Sequence, residues 1–265
     1  MKLGFVGCGN MATAMIKGVL NKGIFATNEI IASVATDASL TRKSDELGIT
    51  VTKDNASVIE NSDIVVLAVK PQYYEDVIES VKKYIRPEQH IVISIAPGKT
   101  LEWIEDKFGL PVKLVRTMPN TPALVGEGMT GACRNAYVAD DEYAKVFEIL
   151  ESFGVAEDIA ESLMDVVVSV SGSSPAYIYM IIEAMADGAV ADGMPRSKAY
   201  KFAAQAVLGS AKMVLETGLH PGELKDQVCS PGGTTIEAVS VLEEKGIRSA
   251  IIDAMRACVR KGRGM

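Results

Sequence analysis

The sequence is poor in the residues that build metal centres and disulfide frameworks. Its 265 residues include two histidines and four cysteines, and the cysteines are widely spaced with no C-x-x-C pair. This distribution disfavours a zinc site and a network of disulfides, and it is typical of proteins from a reducing compartment. We therefore expect no bound metal and a cytoplasmic location.

The charge balance of the sequence is acidic, with 34 Asp and Glu against 27 Lys and Arg. The formal net charge is −7 at pH 7, and no basic stretch is interleaved with aromatic residues. A protein that binds nucleic acid normally presents such a stretch, so we expect no nucleic-acid partner. The most apolar long segment, residues 166–182, is interrupted by serines, Gly172 and Pro175, and this pattern predicts no membrane span.

Before residue 150 the sequence alternates short β-rich runs with helical patterns. Alternation of this kind is typical of an α/β protein with a parallel, doubly wound sheet, in which ligands bind at the carboxyl ends of the strands. The predicted strands are Lys2–Val6, Ile30–Val34, Asp63–Val69, His90–Ile95 and Lys113–Met118. The predicted helices between them are Met11–Lys22, Ser39–Leu47, Tyr74–Tyr84 and Leu101–Lys107.

Beyond residue 160 the sequence contains helical patterns only. Ser174 and Pro175 predict a helix start, as N-cap and first helical residue, and further helices are expected at 196–217, 234–245 and 247–262. Ala, Val, Ile and Met occupy more than one side of these helices, so a second subunit is expected to cover them. We predict an α/β domain over residues 1–158 and an all-α domain over residues 159–265.

A glycine-rich turn directly follows the first strand. Gly7-Cys8-Gly9-Asn10-Met11-Ala12 has the G-x-G-x-x-A spacing and stands between a strand and a helix. In this setting the first glycine permits the turn, the second lets the backbone approach a pyrophosphate, and the alanine allows the helix to pack closely. The segment predicts a Rossmann-type dinucleotide site; a glycine turn without a ligand is the alternative.

The residues around the second strand favour NADP over NAD. NAD-binding sites usually carry an acid at the end of this strand, where it binds the ribose 2′-hydroxyl. Here the strand ends in a hydroxyl-rich turn and the first acid is Asp37, whereas Arg42 and Lys43 follow within a helix. We therefore predict NADPH as the preferred cofactor, with NADH as the alternative because Asp37 suits an NAD enzyme.

Three later loops lie at predicted carboxyl ends of strands. Pro71 biases Lys70 towards an extended conformation at the position where a loop covers a dinucleotide. Ser94–Gly98 provides a floor of small residues for a flat nicotinamide ring, and Met118–Pro122 is stiffened by two prolines. In the last of these loops we expect Asn120 and the neighbouring threonine to point at a ligand.

The octapeptide Ser230-Pro231-Gly232-Gly233-Thr234-Thr235-Ile236-Glu237 predicts a second helix start with binding capacity. Thr234 and Glu237 stand three residues apart, which is the S/T-x-x-E spacing of a capping box. Free backbone N–H groups and the positive end of the helix dipole predict a site for a small anion such as a carboxylate. A capped helix without a ligand is the alternative.

The sequence offers no well-placed base for the oxidation of an alcohol, a reaction that usually requires a histidine or lysine. His90 opens a strand, His220 is expected to cap a helix, and no lysine occurs between residues 145 and 198. Reduction of a C=N bond needs mainly proximity and orientation, because an imine nitrogen takes its proton from solution. This chemistry is our first hypothesis; a hydroxy-acid dehydrogenase and a non-catalytic dinucleotide sensor are the alternatives.

Five segments, in order over essentially the whole chain, resemble the motifs of the Δ1-pyrroline-5-carboxylate reductase family. The segments are Gly7–Ala14, Ala68–Pro71, Met118–Pro122, Gly172–Tyr177 and Ser230–Thr235. The resemblance implies NAD(P)H-dependent reduction of the C=N bond of 1-pyrroline-5-carboxylate, a cyclic imino acid, to L-proline. It also implies a Rossmann domain and an all-α dimerisation domain that binds substrate, in a homodimer with interleaved helices and often in higher oligomers of dimers.

The resemblance further implies the site residues. For the substrate carboxylate they are Ser230, Gly233, Thr234 and Thr235, and Glu161 is placed in the same set. Thr235 is expected near the ring nitrogen as the catalytic hydroxyl, whereas Thr234 mainly caps the helix. For the dinucleotide they are Gly7, Cys8, Gly9, Asn10, Met11, Ala12, Ser33, Thr36, Asn55, Ala68, Val69, Lys70, Pro71 and Ala96.

Two departures from the family pattern bear on the cofactor. Val34 replaces a hydroxyl residue found in some relatives, which shifts recognition of NADP to Ser33, Thr36 and Arg42. Cys8 lies inside the phosphate-binding turn, so modification of its thiol is expected to block the cofactor.

Overall fold

The computed structural model describes residues 1–264. The strands are β1 Leu3–Val6, β2 Ile30–Ser33, β3 Thr50–Thr52, β4 Ile64–Leu67, β5 Ile91–Ser94, β6 Lys113–Met118, β7 Gly128–Arg134 and β8 Gly154–Asp158. The helices of the sheet region are α1 Asn10–Asn21, α2 Asp37–Leu47, α3 Asn55–Glu60, α4 Tyr74–Val81, α5 Leu101–Phe108 and α6 Asp140–Leu150. Later helices are α7 Met164–Val167, α8 Ser174–Ala191, α9 Arg196–Thr217, α10 Pro221–Val228, α11 Thr234–Glu244 and α12 Ile247–Gly262.

The eight strands form one doubly wound sheet, which confirms the predicted α/β architecture. Their order is β3-β2-β1-β4-β5-β6-β7-β8, and every neighbouring pair is parallel except β6 with β7. The direction of winding reverses between β1 and β4. Open α/β sheets bind ligands at this reversal, beyond the carboxyl ends of the strands.

Apolar residues on both faces hold the sheet. One buried cluster joins Phe5 of β1 to Met15 and Ile16 of α1, and the other joins Val6 to Tyr74 of α4. β1, β2, β4 and β5 are buried along their whole length. Burial on both faces explains why these strands are short, nearly continuous apolar runs that the sequence pattern predicts well.

Three strands and three helices were not predicted: β3, β7, β8, α3, α6 and α7. β3 is half exposed and polar, and β8 is largely exposed, with Ala156 alone buried among its five residues. β7 is rich in small residues because neighbours approach closely; a Cβ on Gly128 would lie 2.7 Å from the Phe153 carbonyl oxygen. The five predicted strands pair in parallel as expected, and β7, which was not predicted, runs antiparallel to β6.

The helix expected to start at Ser174 continues from earlier residues. α7, a π turn at Val168–Gly172 and α8 form one helical segment, Glu161–Ala191. Because Pro175 has no N–H, the carbonyl of Ser171 lacks its helical donor. Asn120 Nδ2 donates to that carbonyl at 3.0 Å and replaces the missing bond.

Residues 161–191 are long and apolar enough to cross a membrane, judged by length and composition alone, and their most apolar 18-residue window has a mean hydropathy of 1.3. The serines, Gly172 and Pro175 were expected to interrupt this segment; they replace regular α-helix by the π turn and a bend at Ser173, and the helical path continues beyond them. Only 6% of its most apolar window is buried within the chain. The segment therefore presents a large apolar surface that a single copy leaves uncovered.

The chain divides into two compact units. The first contains residues 1–173 with the residues from 258 onward, and the second contains residues 174–257. The boundary between these compact units lies at residue 173, whereas the sequence predicted a domain boundary at residue 158. The domain boundary itself stays a prediction.

The second unit has almost no core of its own. Within residues 174–257, only Ala186, Ala199 and Ala203 are buried. Large apolar side chains are exposed instead, among them Tyr179, Met180, Phe202, Leu208, Leu215 and Val241. Helices with this composition require a covering partner.

Candidate active site

The glycine-rich turn joins β1 to α1 and leaves an open space above its second glycine. Gly7 has φ +95°, and a Cβ there would lie 2.9 Å from the Ala68 carbonyl oxygen, so both the turn and its packing require glycine. Gly9 is the N-cap of α1, and a Cβ built on it meets nothing within 4 Å. Residues 10–12 form the first turn of α1, whose N–H groups have no partner within the helix and suit a phosphate.

Ser33 ties this turn to a neighbouring loop. Its buried hydroxyl accepts a hydrogen bond from the Gly7 N–H at 3.0 Å and donates one to Asn55 Oδ1 at 2.6 Å. Ser33 therefore shapes the turn from behind. The contact also orients Asn55 so that its Nδ2 amide remains as a donor.

A cleft of about 600 Å³ opens beyond the carboxyl ends of β2, β1 and β4. The structure brings together seven of the predicted cofactor residues in its lining: Gly7, Cys8, Gly9, Ser33, Asn55, Ala68 and Val69. The other predicted positions lie on adjoining elements. Thr36 caps α2, Lys70 and Pro71 begin a 3-10 turn after β4, and Ala96 follows β5.

Cationic side chains converge at one part of this cleft. Arg42 from α2 and Lys53 from the loop after β3 both line it. Lys53 Nζ lies 2.8 Å from Asp37 Oδ1, so the acid that suits NAD already has a partner. Lys43 contacts Thr13 instead and lines no part of the cleft. Lys53 was missed because its only sequence signal is its place after β3, a strand that the pattern did not predict.

Tyr74 braces the loops at the nicotinamide side of the predicted site. Its hydroxyl donates to the Leu67 carbonyl at 2.6 Å and accepts from the Ile95 N–H at 3.3 Å. Burial raises the pKa of Tyr74 to about 12, so the phenol remains neutral. The side chain thus fixes the carboxyl ends of β4 and β5, which carry Ala68 and Ala96.

Cys8 is poorly suited to modification. It is 9% exposed, and burial raises the pKa of its thiol. Because the thiolate is the reactive form, a raised pKa slows reaction with oxidants and alkylating reagents. This geometry opposes the predicted block of the cofactor through Cys8.

The side chain of Asn120 belongs to the framework. In addition to the bond from Nδ2 to Ser171, its Oδ1 accepts from the Met129 N–H at 2.9 Å. Both ends of the buried carboxamide are therefore used. The expectation that this loop points Asn120 at a ligand is wrong, because the helix interrupted at Pro175 needs the same donor.

The second predicted site forms the turn before α11. Gly232 has φ +67°, and Gly233 is the N-cap, so Thr234 and Thr235 are the first two helical residues. The capping role predicted for Thr234 is therefore wrong. The Gly233 N–H donates to the Ser230 carbonyl at 3.0 Å, which closes the turn.

This helix start is free to receive an anion. No side chain caps it. Ser230 Oγ lies close by, since a Cβ on Gly233 would be 2.5 Å from it. The first N–H groups of α11, the Ser230 hydroxyl and the half-buried Thr235 thus share one short stretch of chain.

Glu161 has partners other than those predicted. Its Oε1 accepts from the Leu101 N–H at 2.7 Å and from Arg116 Nη1 at 2.9 Å. The carboxylate therefore caps α5 and neutralises a buried guanidinium. These hydrogen bonds do not support the predicted contact between Glu161 and the substrate, which stays a prediction.

The histidines have structural roles. His220 caps α10 as predicted, with Nδ1 accepting from the Gly222 N–H at 3.0 Å. His90 immediately precedes β5 and accepts from the Arg86 N–H, and burial lowers its pKa. It lies at the opposite end of β5 from Ala96. Within residues 1–264 no group of three His, Cys, Asp or Glu side chains is placed to hold a metal ion.

Comparison with known proteins gives matches over the whole chain. Residues 161–265 match a family model described as pyrroline-5-carboxylate reductase dimerisation, and residues 2–98 match one described as NADP oxidoreductase, coenzyme F420-dependent. The chain is 50% identical to the pyrroline-5-carboxylate reductase of Escherichia coli K12 over 98% of this chain and 96% of the relative.

Solved structures with the same fold include several at more than 30% identity. A pyrroline-5-carboxylate reductase from Coxiella burnetii is 35% identical with a TM-score of 0.92, covering 99% of this chain and 97% of that chain. Plasmodium falciparum pyrroline carboxylate reductase with NADP bound is 31% identical with a TM-score of 0.90, covering 100% and 97%. The apolar segment at residues 161–191 falls within the dimerisation match.

Proposed function

The chain belongs to the pyrroline-5-carboxylate reductase family, and we propose that the cleft at Gly7–Gly9 and the helix start at Ser230–Thr235 are its two binding sites. It is an NAD(P)H-dependent oxidoreductase that reduces the C=N bond of 1-pyrroline-5-carboxylate to L-proline, the last step of proline biosynthesis. The open space above Gly9 carries the assignment of the cleft. A Cβ on Gly9 would enter this space without meeting a protein atom within 4 Å, and the first N–H groups of α1, which have no partner within the helix, follow directly in the chain.

NADPH is the preferred cofactor in this proposal. Arg42 and Lys53 line the cleft and suit a 2′-phosphate, which carries negative charge. Asp37 is paired with Lys53, and this pairing weakens it as a partner for the ribose hydroxyl of NADH. The remaining predicted dinucleotide residues, from Gly7 to Ala96, stay in the proposed set.

The substrate carboxylate is proposed to bind the start of α11. The Ser230 hydroxyl and the N–H groups of the residues after the Gly233 N-cap supply donors, and the helix dipole favours negative charge there. Thr234 lies at the first helical position and is exposed, so we assign it a minor contact. Thr235 is half-buried and is proposed to hydrogen bond with the ring nitrogen.

Catalysis is proposed to rest on orientation. When bound, a reduced nicotinamide would supply the hydride for the imine carbon, and the imine nitrogen would carry a proton taken from solvent. Thr235 holds that nitrogen, the Ser230–Gly233 turn holds the carboxylate, and Tyr74 keeps the loops at Ala68 and Ala96 in place. Each of these groups restricts the reactants before the bond forms, which lowers the entropic part of the barrier.

The active form is proposed to be a cytoplasmic homodimer. The dimerisation match and the exposed apolar helices both support contact between copies through the C-terminal part of the chain. Interleaved helices and assembly into higher oligomers are part of the proposal, as is a division into a dinucleotide domain over 1–158 and a helical domain over 159–265.

The test follows reduced nicotinamide by its absorbance in a mixture of enzyme, 1-pyrroline-5-carboxylate and either NADPH or NADH. We expect a higher kcat/KM with NADPH. Lys53→Gln should lower kcat/KM for NADPH by about tenfold, the effect of losing one bond to a charged group, and should not lower kcat/KM for NADH, because the change also frees Asp37 from its pairing. Lys145→Gln, at an exposed lysine of α6, is the matched control. Equal losses with both cofactors would contradict the role of Lys53, and no turnover with either would contradict the proposed function.

A further inference from the structure

A nearly buried lysine lies behind the glycine-rich turn. Lys43, in α2, is 8% exposed. Its Nζ donates to Thr13 Oγ1 at 2.9 Å and to Glu46 Oε2 at 2.7 Å. Lysine is rarely buried, because removing an ammonium group from water is costly unless it is paired and hydrogen-bonded.

Thr13 connects this lysine to the turn. Its Oγ1 donates to the Gly9 carbonyl at 2.9 Å, and its backbone N–H donates to the same carbonyl at 2.9 Å. Because Lys43 donates to this hydroxyl, the single proton of the hydroxyl is directed at Gly9. A continuous chain of hydrogen bonds therefore runs from Glu46 through Lys43 and Thr13 to the N-cap of α1.

The Gly9 carbonyl sets the direction of the groups that face the cleft. As the N-cap, Gly9 fixes the angle at which the following N–H groups leave the helix. Hydrogen bonds in a chain polarise one another, and an ammonium group at the far end strengthens the bond from Thr13 to Gly9. The turn is thus held in one geometry from the side opposite the cleft.

Simple attraction of phosphate by Lys43 is a smaller effect. Glu46 contacts Lys17 and Lys43 at 2.7 Å each, and these hydrogen bonds, the one from Lys17 first, lower the pKa of Glu46 to about 2. Glu46 is therefore negative at neutral pH and offsets much of the field of Lys43. Orientation remains as the main effect of the lysine on the turn.

We propose that Lys43 is a positioning residue for the dinucleotide, acting through the Thr13 hydroxyl on Gly9. The inference rests on the dinucleotide site proposed above. It adds two residues that line no part of the cleft and that no motif singles out for this purpose.

The experiment measures the Kd of NADPH by nicotinamide fluorescence in four variants. Lys43→Met and Thr13→Val break the chain, and each should raise the Kd by about five- to tenfold, the effect of loosening one charge-assisted bond. Thr13→Ser keeps the hydroxyl and should stay within about twofold of wild type. Lys17→Met removes the other lysine on Glu46 but leaves the link to Thr13, so it should also stay near the wild-type value. The KM for the pyrroline substrate should not change.

Thermal denaturation without NADPH separates this effect from stability. Lys43→Met and Lys17→Met both remove a partner of Glu46 and should both lower Tm, but only the first should weaken binding. A wild-type Kd in Lys43→Met and Thr13→Val overturns the proposal, and so does equal weakening by Lys17→Met. If Lys43→Met does not fold, Thr13→Val and Thr13→Ser decide, since they differ at one hydroxyl group. Failure of the wild type to bind NADPH is a separate result that contradicts the dinucleotide site itself.

Discussion

Gly7 and Gly9 are two residues apart in one turn, yet substitution should change different properties of the protein. A side chain on Gly9 meets no protein atom within 4 Å, and its φ of −79° is accessible to valine. We expect Gly9→Val to keep the wild-type Tm and to lose NADPH binding, because its side chain occupies the approach of the pyrophosphate. Calorimetric titration and a melting curve on the same sample check both expectations.

Gly7 provides the contrast. With φ +95° and a Cβ position 2.9 Å from the Ala68 carbonyl oxygen, Gly7→Ala should destabilise the fold by about 1–3 kcal/mol.

For the Gly9→Val variant, normal binding of NADPH would show that the open space at Gly9 is not the phosphate site.

The hydroxyl group of Thr235 is expected to determine how well the enzyme uses the pyrroline substrate. Thr235→Ala should raise the KM for the pyrroline substrate and lower kcat/KM by an amount equivalent to about 1.5–3 kcal/mol, if the lost partner is charged. Ser240→Ala is a matched control on the same helix, since its hydroxyl is exposed and donates to the Ile236 carbonyl. Wild-type kinetics in Thr235→Ala would remove this hydroxyl from the site.

At the scale of elements, Asn120 fastens three segments. It joins the loop after β6 to the π turn through Ser171 and to β7 through Met129. Asn120→Ala leaves two groups without partners, at about 1–3 kcal/mol each when buried, so chemical denaturation should show a loss of about 2–6 kcal/mol. Asn61→Ala removes an exposed bond to the Ser57 carbonyl and should cost less than about 1 kcal/mol. Similar losses in the two variants would contradict the bridging role.

Glu46, which joins α1 to α2, should give the stability a defined pH dependence. Hydrogen bonds from Lys17 and then Lys43 lower its pKa from 4.5 to about 2. A carboxyl with a lowered pKa stabilises the fold fully above its unfolded value and loses that contribution as the pH falls through its folded value. The difference in unfolding free energy between wild type and Glu46→Gln should therefore shrink between pH 4.5 and about 2. Solvent screening at this partly exposed site limits its size, and a difference that stays constant with pH contradicts the argument.

The elements that sequence predicted and missed differ in burial. β1, β2, β4 and β5 were predicted because both faces are buried, which leaves a continuous apolar run. β7 was missed because close packing at Gly128 selects small residues. The spacing of a capping box located the start of α11 to within one residue, but the left-handed turn at Gly232 moved the N-cap to Gly233.

At the scale of the whole molecule, short sequence motifs predicted the candidate binding site, whereas residues that surround and position it were not predicted. The glycine-rich turn was predicted because a local conformation demands Gly7. Lys53 and Lys43 reach the turn region only through tertiary structure, since each lies on an element whose packing the sequence does not state. Contacts between segments that are distant in the chain cannot be predicted from local sequence patterns.

Assembly is the property that the apolar helices of residues 174–257 control. Phe202 is 67% exposed and Leu215 is 83% exposed in a single copy, and a side chain of this size contributes about 1.5–3 kcal/mol when it leaves water. We expect the wild type to be a dimer or a larger oligomer by light scattering after gel filtration. Phe202→Asp should shift the population towards smaller species at the same protein concentration, because an unpaired charge in an apolar contact adds a desolvation cost to the lost burial.

The control for this shift lies on the same helix. Lys212→Gln changes an exposed, charged residue of α9 and should leave the distribution of species unchanged. Assembly and unfolding are linked for a unit with so small a core, so Phe202→Asp should also melt earlier, and its Tm should rise with protein concentration more steeply than that of wild type. If the wild type is a monomer whose Tm does not depend on protein concentration, the proposal that a second copy covers the apolar helices is wrong.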